Sequence, residues 1–271
     1  MQDAFPRRIV CLTEEPTEVL YAIGESDRIV GISGFTVRPA IARREKPKVS
    51  AFTSARIDEI VKLEPDLVIG FSDIQADIAQ ALIQRGVEVW ISNHRSVAQI
   101  LAYVRRLGAM VGAWEKSDRY AAELEAHVAG VHEAAARLPR HPRVYFEEWD
   151  DPQISAIGWV SELIGIAGGT DIFPQRAASS LARDSIVADE QEVVRSRPDI
   201  IIGSWCGKKF RPERVAARPG WAGIPAVRDG ELHEIKSPII LQPGPAALTD
   251  GLDALHAVIA RWSHRSRTAP S

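Results

Sequence analysis

The fold is decided near the middle of the chain, where residues 114–138 read WEKSDRYAAELEAHVAGVHEAAARL. The apolar residues of one face recur every three or four positions, at Tyr120, Leu124, Val128, Val131, Ala135 and Leu138. This spacing is typical of an amphipathic helix, which Pro139 and Pro142 end. A helix of about 24 residues is roughly 36 Å long. We therefore predict a rigid helix over residues 114–139, which joins an N-terminal lobe (residues 1–113) to a C-terminal lobe (residues 140–271).

Two copies of one sequence phrase lie on either side of this helix. Residues 58–70 read DEIVKLEPDLVIG, and residues 191–203 read QEVVRSRPDIIIG. In both copies a helical stretch is followed by Pro-Asp, by three apolar residues of strand type and by glycine. Proline ends the helix, and the Asp side chain can bond to nearby backbone. The repeat predicts two lobes of similar fold.

The rest of the chain alternates apolar runs of strand length with helical stretches. A strand at Arg8–Leu12 is followed by a predicted turn at Thr13–Thr17 and a helix at Glu18–Gly24, and the pattern restarts with a strand at Arg143–Glu147. This alternation predicts an α/β fold with two Rossmann-like lobes, each built on a parallel sheet. Ligands of such sheets bind outside the carboxyl ends of the strands, so we expect the ligand between the lobes.

Composition and charge narrow the class of protein. The 271 residues are 45% hydrophobic and 25% charged, as in a soluble globular protein. A net charge of -3 gives no reason to expect nucleic acid as a partner, and no apolar run is long enough for membrane insertion. Cys11 and Cys206 are too few for a disulfide framework. The sequence as written shows no signal peptide, which predicts a cytoplasmic protein, or a periplasmic one if a signal peptide was removed.

The opening of the chain completes a resemblance to a known family. Residues 8–24 read RIVCLTEEPTEVLYAIG and are similar to the family's opening strand, turn and helix, while residues 27–31, DRIVG, are similar to its second strand. With the two Pro-Asp phrases and the central helix, the chain resembles the substrate-binding proteins of bacterial ABC importers for cobalamin, haem and ferric siderophores. The resemblance implies two α/β lobes bridged by one long helix, a small-molecule ligand and an ABC permease as partner.

The resemblance also implies where the permease would dock. In the family each lobe offers a surface glutamate to the permease, and the matching positions lie seven residues before each Pro of Pro-Asp. They hold Asp58 and Gln191 here, with Glu59 and Glu192 beside them. Gln191 departs from the family pattern. This departure, together with the missing signal peptide, leaves open a cytoplasmic ligand sensor that kept the fold and lost transport.

The residues that follow the predicted strands are the candidates for contacting a ligand. In the N-terminal lobe they are Thr13, Glu14, Glu15, Phe35, Phe52, Phe71, Asn93 and His94. In the C-terminal lobe they are Glu148, Trp149, Trp205, Cys206, Lys208 and Lys236. Aromatic faces suit a large flat macrocycle, whose amide or carboxylate groups would meet the polar side chains. Among the tryptophans, we expect Trp159 to lie in the core and Trp205 to be the least core-like.

These residues favour some ligands over others. Our first choice is a cobalamin-like cobalt corrinoid, then an iron chelate (ferric siderophore or haem), then a bare metal or oxyanion, and we expect no tightly bound cofactor. Lys208, Lys209 and Arg211 are candidates for receiving an anion. The candidates for ligating or attracting a cation are two acidic groups: Glu14 with Glu15, and Glu147 and Glu148 with Asp150 and Asp151. His94 could reach one axial position of a bound metal macrocycle or, with Cys206, bond a metal, although no short-spaced cluster of ligands supports a metal site.

An enzyme is the remaining alternative. The sequence contains no Gly-x-Ser-x-Gly elbow, phosphate loop or dinucleotide fingerprint. His94, Cys206 and a carboxylate could form a nucleophile, base and orienter, but their spacing carries no known signature. We therefore predict a binding protein without catalytic residues. We expect it to be a monomer, because the apolar face of the central helix is needed against the lobes.

Overall fold

The computed structural model of the chain describes residues 4–177 and 182–265. The chain forms two compact units. The first comprises the chain up to His94, Ala98–Glu125 and Pro243–Pro245; the second comprises Arg95–Val97, Ala126–Gln242 and the chain from Ala246. The predicted central helix is present as Trp114–Ala135, four residues shorter than the predicted range of residues 114–139. The division between the units falls inside this helix, after Glu125.

The first unit is built on a fully parallel sheet. Its strands are β1 (Ile9–Cys11), β2 (Ile29–Ser33), β3 (Lys48–Ser50), β4 (Leu67–Phe71) and β5 (Val89–Ser92). The accompanying helices are α1 (Glu14–Ala22), α2 (Ala42–Glu45), α3 (Ile57–Lys62), α4 (Ala76–Ile83), α5 (Val97–Met110) and α6 (Trp114–Ala135). The strand order is β3-β2-β1-β4-β5, so the order reverses between β1 and β4. At such a switch point the loops diverge and leave room for a ligand.

The second unit is built on a mixed sheet. Its strands are β6 (Arg143–Asp150), β7 (Gln153–Ser155), β8 (Thr170–Asp171), β9 (Ile200–Gly203) and β10 (Leu232–Glu234). They run in the order β10-β9-β6-β7, with β8 also paired to β6. The predicted parallel pairing is confirmed for β10–β9, β9–β6 and β6–β8, and the short strand β7 adds one antiparallel pair beside β6. Only Asp151 and Pro152 separate these two strands, and so short a connection can join only antiparallel neighbours.

The helices of the second unit are mostly short. They are α7 (Gly158–Ile166), α8 (Pro174–Ala177), α9 (Gln191–Ser196), α10 (Pro212–Ala216), α11 (Pro225–Arg228), α12 (Ser237–Ile240) and α13 (Leu252–His264), and a π-helical turn at Ala247–Gly251 leads into α13. Trp159 on α7 is buried, as predicted, and its indole N–H donates to the Ile240 carbonyl at 2.9 Å. None of the described helices is both long enough and apolar enough to cross a bilayer.

The repeated phrase has the same local structure in both units. Asp66 accepts hydrogen bonds from the backbone N–H groups of Arg7 and Arg8, at 2.6 and 2.9 Å. Asp199 accepts one from the N–H of Arg143 at 2.9 Å. Each Asp therefore holds the start of the neighbouring parallel strand, β1 or β6. The residue before each proline, Glu64 or Arg197, has a positive φ of 48°, so the predicted repeat is confirmed down to its backbone.

The helix after β1 begins earlier than predicted. The stretch Thr13–Thr17 is not a turn, because α1 starts at Glu14 directly after β1. Pro16 falls in the first turn of this helix, where a missing N–H costs no intrahelical hydrogen bond. The consequence is that Glu14 and Glu15 lie in the first helical turn, next to the point where the strand order reverses.

Candidate functional site

Two buried carboxyl groups lie where β1 ends. Glu14 is 6% exposed and Glu15 is 1% exposed. Burial, followed by the charges of Glu15 and Glu18, raises the pKa of Glu14 to about 8. Burial raises the pKa of Glu15 to about 7, although the Thr13 hydroxyl donates to its Oε1 at 2.6 Å. At neutral pH these acids are therefore partly protonated, which makes them poor attractors for a cation.

His94 belongs to the core of the first unit and does not face a ligand in this structure. Its Nε2 lies 2.6 Å from the Pro243 carbonyl oxygen. Its ring stacks on Tyr103 at 4.3 Å between centroids and meets the edge of Phe71 at 5.1 Å. His94 and Phe71 are both buried. Both rings pack against each other in the core, so ligand contact by His94 or Phe71 stays a prediction that needs one of these rings to become accessible.

Three other predicted residues of the first unit do reach the surface. Phe35, after β2, is 51% exposed. Phe52, after β3, is half-buried, and Asn93, after β5, is exposed. Asn93 lines a hollow of about 470 Å³ together with Ser72, Asp73 and the apolar side chains of α4. This unit therefore offers apolar surface at the carboxyl ends of its strands.

A buried ion pair fixes the end of the sheet in the second unit. The Glu147 carboxylate is fully buried and accepts two hydrogen bonds from Arg218, at 2.6 and 2.9 Å. The indole N–H of Trp205 donates to the same carboxylate at 3.0 Å. Trp205 is only 3% exposed and belongs to the core of this unit. Our expectation that it is the least core-like tryptophan is wrong, because a loop position was taken as a sign of exposure.

The loop that begins with Trp205 is held at its far end as well. Phe210 packs directly over Gly203, where a Cβ atom would lie 1.9 Å from the Phe210 ring. The backbone N–H of Phe210 donates to Glu234 Oε1 at 3.1 Å. Glycine at position 203 is thus required by close packing. These contacts set the position of the residues between Trp205 and Phe210.

Lys208 lies on the surface side of this loop and is already engaged. Its ammonium bonds to Asp150 and lies 4.0 Å from the centre of the Trp149 ring. Trp149 itself is half-buried, and its indole N–H donates to the Asp151 carbonyl at 2.8 Å. The structure therefore brings together Trp149, Trp205 and Lys208, three of the residues predicted for the second lobe. Cys206 is exposed on the same loop.

Glu148 has a different environment from its neighbour Glu147. It is half-buried, and burial raises its pKa to about 7, while the positive charge of Arg95 acts in the opposite direction. Arg95 is remote in sequence, and no local pattern marks it as a neighbour of Glu148. The same holds for Arg218, whose pairing with Glu147 the sequence reasoning missed.

A basic hollow of about 280 Å³ lies at the carboxyl ends of β9 and β10. The predicted residues Trp205, Lys208 and Lys236 line it. Lys209, Glu234 and Ser237 complete its polar lining. Glu234 was missed by the sequence reasoning, which looked only at residues after the strands.

The described residues contain no group of three or more His, Cys, Asp and Glu side chains that could hold a metal ion. This finding covers only the described residues, and the absence of a clustered metal site stays a prediction for the whole chain. His94 is buried and Cys206 is exposed.

The residues predicted for docking lie at equivalent places in the two units. Asp58 and Glu59 are exposed in the first turn of α3, where they pair with Arg85 at 2.7 Å and Lys62 at 2.9 Å. Gln191 is exposed in the first turn of α9. Glu192 is less available, because it is partly buried and pairs with Arg176 at 2.7 Å.

Comparison with known proteins gives one consistent result. Residues 9–239 match the family described as periplasmic binding protein. An uncharacterised ABC transporter substrate-binding lipoprotein of Bacillus subtilis is 24% identical over 92% of this chain and 79% of its own length. A vitamin B12-binding protein of Vibrio vulnificus is 23% identical over 92% of this chain and 88% of its own. The solved structure of a periplasmic haem-binding protein from Roseiflexus superposes with a TM-score of 0.75 at 24% identity, covering 93% of this chain and 99% of the other.

Proposed function

Because this chain belongs to the periplasmic binding protein family, we propose that it is the substrate-binding protein of an ABC importer and that its ligand is a cobalamin-like corrinoid. The relative from Vibrio vulnificus is named for vitamin B12 and aligns over most of both chains. At 23% identity this likeness alone does not choose the ligand. The observation that carries the proposal is the exposed apolar and aromatic surface at the carboxyl ends of the strands.

In the first unit this surface centres on Phe35, which is half-exposed although no bulky side chain gains from contact with water. In the second unit it centres on Trp149, whose ring is partly exposed beside the Lys208 ammonium. Aromatic faces next to polar groups suit a macrocycle that is flat and apolar but has a polar rim. A corrinoid has this shape, and its rim of amides needs hydrogen-bonding partners such as Asn93 and Glu148.

A haem or ferric siderophore is a second candidate, and one observation favours it. The hollow beside Trp205 contains three lysines, and haem carries two carboxylates. Corrinoids and haem are both large metal chelates with visible absorption bands, so separate titrations with each can distinguish the two candidates.

The partner in import would be an ABC permease. We propose that it docks on the first turns of α3 and α9, through Asp58 and Glu59 in one unit and Gln191 in the other. The equivalent exposed positions of these turns support this proposal. We further propose that the protein works outside the cytoplasmic membrane, as the names of its relatives suggest for them.

The test is a titration of the purified protein with cyanocobalamin and, separately, with haemin. Tryptophan fluorescence and the visible bands of the ligand report binding. Phe35→Ala should weaken binding about tenfold, because it removes one aromatic contact. Trp114→Ala is the matched control, since Trp114 is also 51% exposed but lies at the start of α6. Binding of haemin alone would replace the corrinoid by the second candidate, and binding of neither would contradict both.

A further inference from the structure

The basic hollow at the carboxyl ends of β9 and β10 has a charge pattern that ordinary surface loops lack. Three lysines, Lys208, Lys209 and Lys236, line it together with one acidic residue, Glu234. Isolated lysines on a surface are usually solvated and do not mark a site. Here three of them line one concave space of about 280 Å³, which is large enough for a carboxylate or phosphate with the atoms that carry it.

Two of the lysines are held in place by contacts behind them. Lys208 bonds to Asp150 and lies over Trp149, with its ammonium 5.3 Å from the centre of the Trp205 ring. Lys236 pairs with Glu234 Oε2 at 2.6 Å. These carboxylates neutralise two of the positive charges. Lys208 and Lys236 therefore lose less conformational freedom than unpaired lysines would when an anion binds.

Lys209 differs from the other two lysines because no carboxylate among the described residues balances its charge. Among the described residues it forms no ion pair within 4 Å. Its positive charge also affects the pKa of Glu234. Burial raises that pKa, but Lys236, the Phe210 N–H and the charge of Lys209 outweigh burial, so the pKa of Glu234 is lowered. With Asp150 and Glu234 balancing Lys208 and Lys236, the cluster retains about one positive charge, that of Lys209.

The loop that carries Lys208 and Lys209 is held by contacts within the protein at both ends. Trp205 is fixed at one end by Glu147, and Phe210 is fixed at the other by its packing over Gly203. A positive charge carried on a fixed backbone beside a concave site can bind an anion through a charge-assisted hydrogen bond. Ser237, which also lines the hollow, can add a hydroxyl donor.

From this geometry we propose that Lys209, supported by Lys208 and Lys236, forms an anion-binding subsite for a carboxylate or phosphate group on the ligand. The proposal rests on the proposed function, because it concerns the same ligand. It adds that the ligand carries a negatively charged group and that this group is recognised by the second unit. In a corrinoid the group would be the phosphate of the nucleotide loop, and in haem it would be a propionate.

The experiment compares ligands that differ in this charge. Cyanocobalamin contains the phosphate and dicyanocobinamide lacks it; haemin has free carboxylates and its dimethyl ester does not. Affinities are measured for the unaltered protein, Lys209→Ala, Lys209→Arg and Lys62→Ala. The last is the matched control, because Lys62 is an exposed lysine that pairs with Glu59 on α3.

We expect Lys209→Ala to lower the affinity for the charged member of the pair about tenfold, since one charge-assisted hydrogen bond is lost. The affinity for the uncharged member should change less than about twofold. Lys209→Arg should retain most of the affinity, and Lys62→Ala all of it. An equal loss for both members, or no loss for either, would overturn the subsite.

Failure of the proposed function gives a different result. If the unaltered protein binds neither corrinoids nor haemin, that function falls, and inorganic phosphate then tests the subsite directly. Quenching of tryptophan fluorescence by phosphate in the unaltered protein, but not in Lys209→Ala, would support the subsite because Trp149 and Trp205 lie beside it. The same response in both proteins, or none in either, would overturn it.

Discussion

At the scale of single residues, the neighbours Glu147 and Glu148 differ in burial and in charged partners. Glu147 is fully buried with Arg218 as its counter-charge, whereas Glu148 is half-buried, and burial raises its pKa to about 7. The register of β6 against β7 shifts between Glu147 and Trp149, and the two glutamates meet different neighbours. Glu147 therefore serves to hold Trp205 in place, and Glu148 is the one available to a ligand.

The buried acids at the end of β1 give the first prediction. The pKa of Glu14 is about 8 in the folded protein against an ordinary value of 4.5. Between these values the folded state binds more protons than the unfolded chain, so the free energy of unfolding falls as the pH rises. Glu14→Gln removes this loss and should stabilise the protein at pH 8 by roughly 1–3 kcal/mol. At pH 4 the variant and the unaltered protein should be nearly equal.

Urea denaturation at the two pH values measures this difference. Glu133→Gln is a suitable control, because Glu133 is exposed on α6. It should leave the pH dependence unchanged. Equal stability of Glu14→Gln and the unaltered protein at pH 8 would contradict the prediction.

At the scale of elements, the repeated Pro-Asp phrase gives a paired prediction. Asp66 accepts two backbone hydrogen bonds at the start of β1, and Asp199 accepts one at the start of β6. Asp66→Ala should therefore destabilise the protein more than Asp199→Ala, with each lost bond costing about 1 kcal/mol. Thermal unfolding reports the order, and Asp77→Ala, at an exposed position of α4, serves as control. The reverse order would show that the two phrases do not share this role.

The elements also show how far sequence reasoning reaches. Strands such as Leu67–Phe71 and Ile200–Gly203 were predictable, because a short continuous apolar run directly after a turn signal such as Pro-Asp is typical of a buried strand. The antiparallel strand Gln153–Ser155 was not, since three residues carry no clear period. The exposure of the candidate site residues was harder to predict than their position. Trp205 and His94 follow strands as predicted, yet both are buried. Their hydrogen-bond partners, Glu147 and Pro243, are distant in sequence.

At the scale of the whole molecule, burial of the apolar face of α6 predicts the oligomeric state. Leu124 and Ala135 of its apolar face are buried within the single chain, and Tyr120, Val128, Val131 and Leu138 are partly buried. A face that its own chain covers to this extent has little apolar surface left for a second copy, so we expect a monomer at micromolar concentration. Sedimentation equilibrium measures the mass, for which the single-chain value is 29.8 kDa. A stable dimer at these concentrations would contradict the expectation.

The family places the molecule among substrate-binding proteins, and the open question at this scale is the ligand. Calorimetric titration of the unaltered protein with cyanocobalamin tests the central claim most directly. We predict one ligand per chain and a dissociation constant of about 1 μM or tighter, equivalent to roughly 8 kcal/mol of binding free energy. An absence of binding heat at several temperatures, with the visible bands of cyanocobalamin unchanged, would contradict the claim that this protein binds a corrinoid.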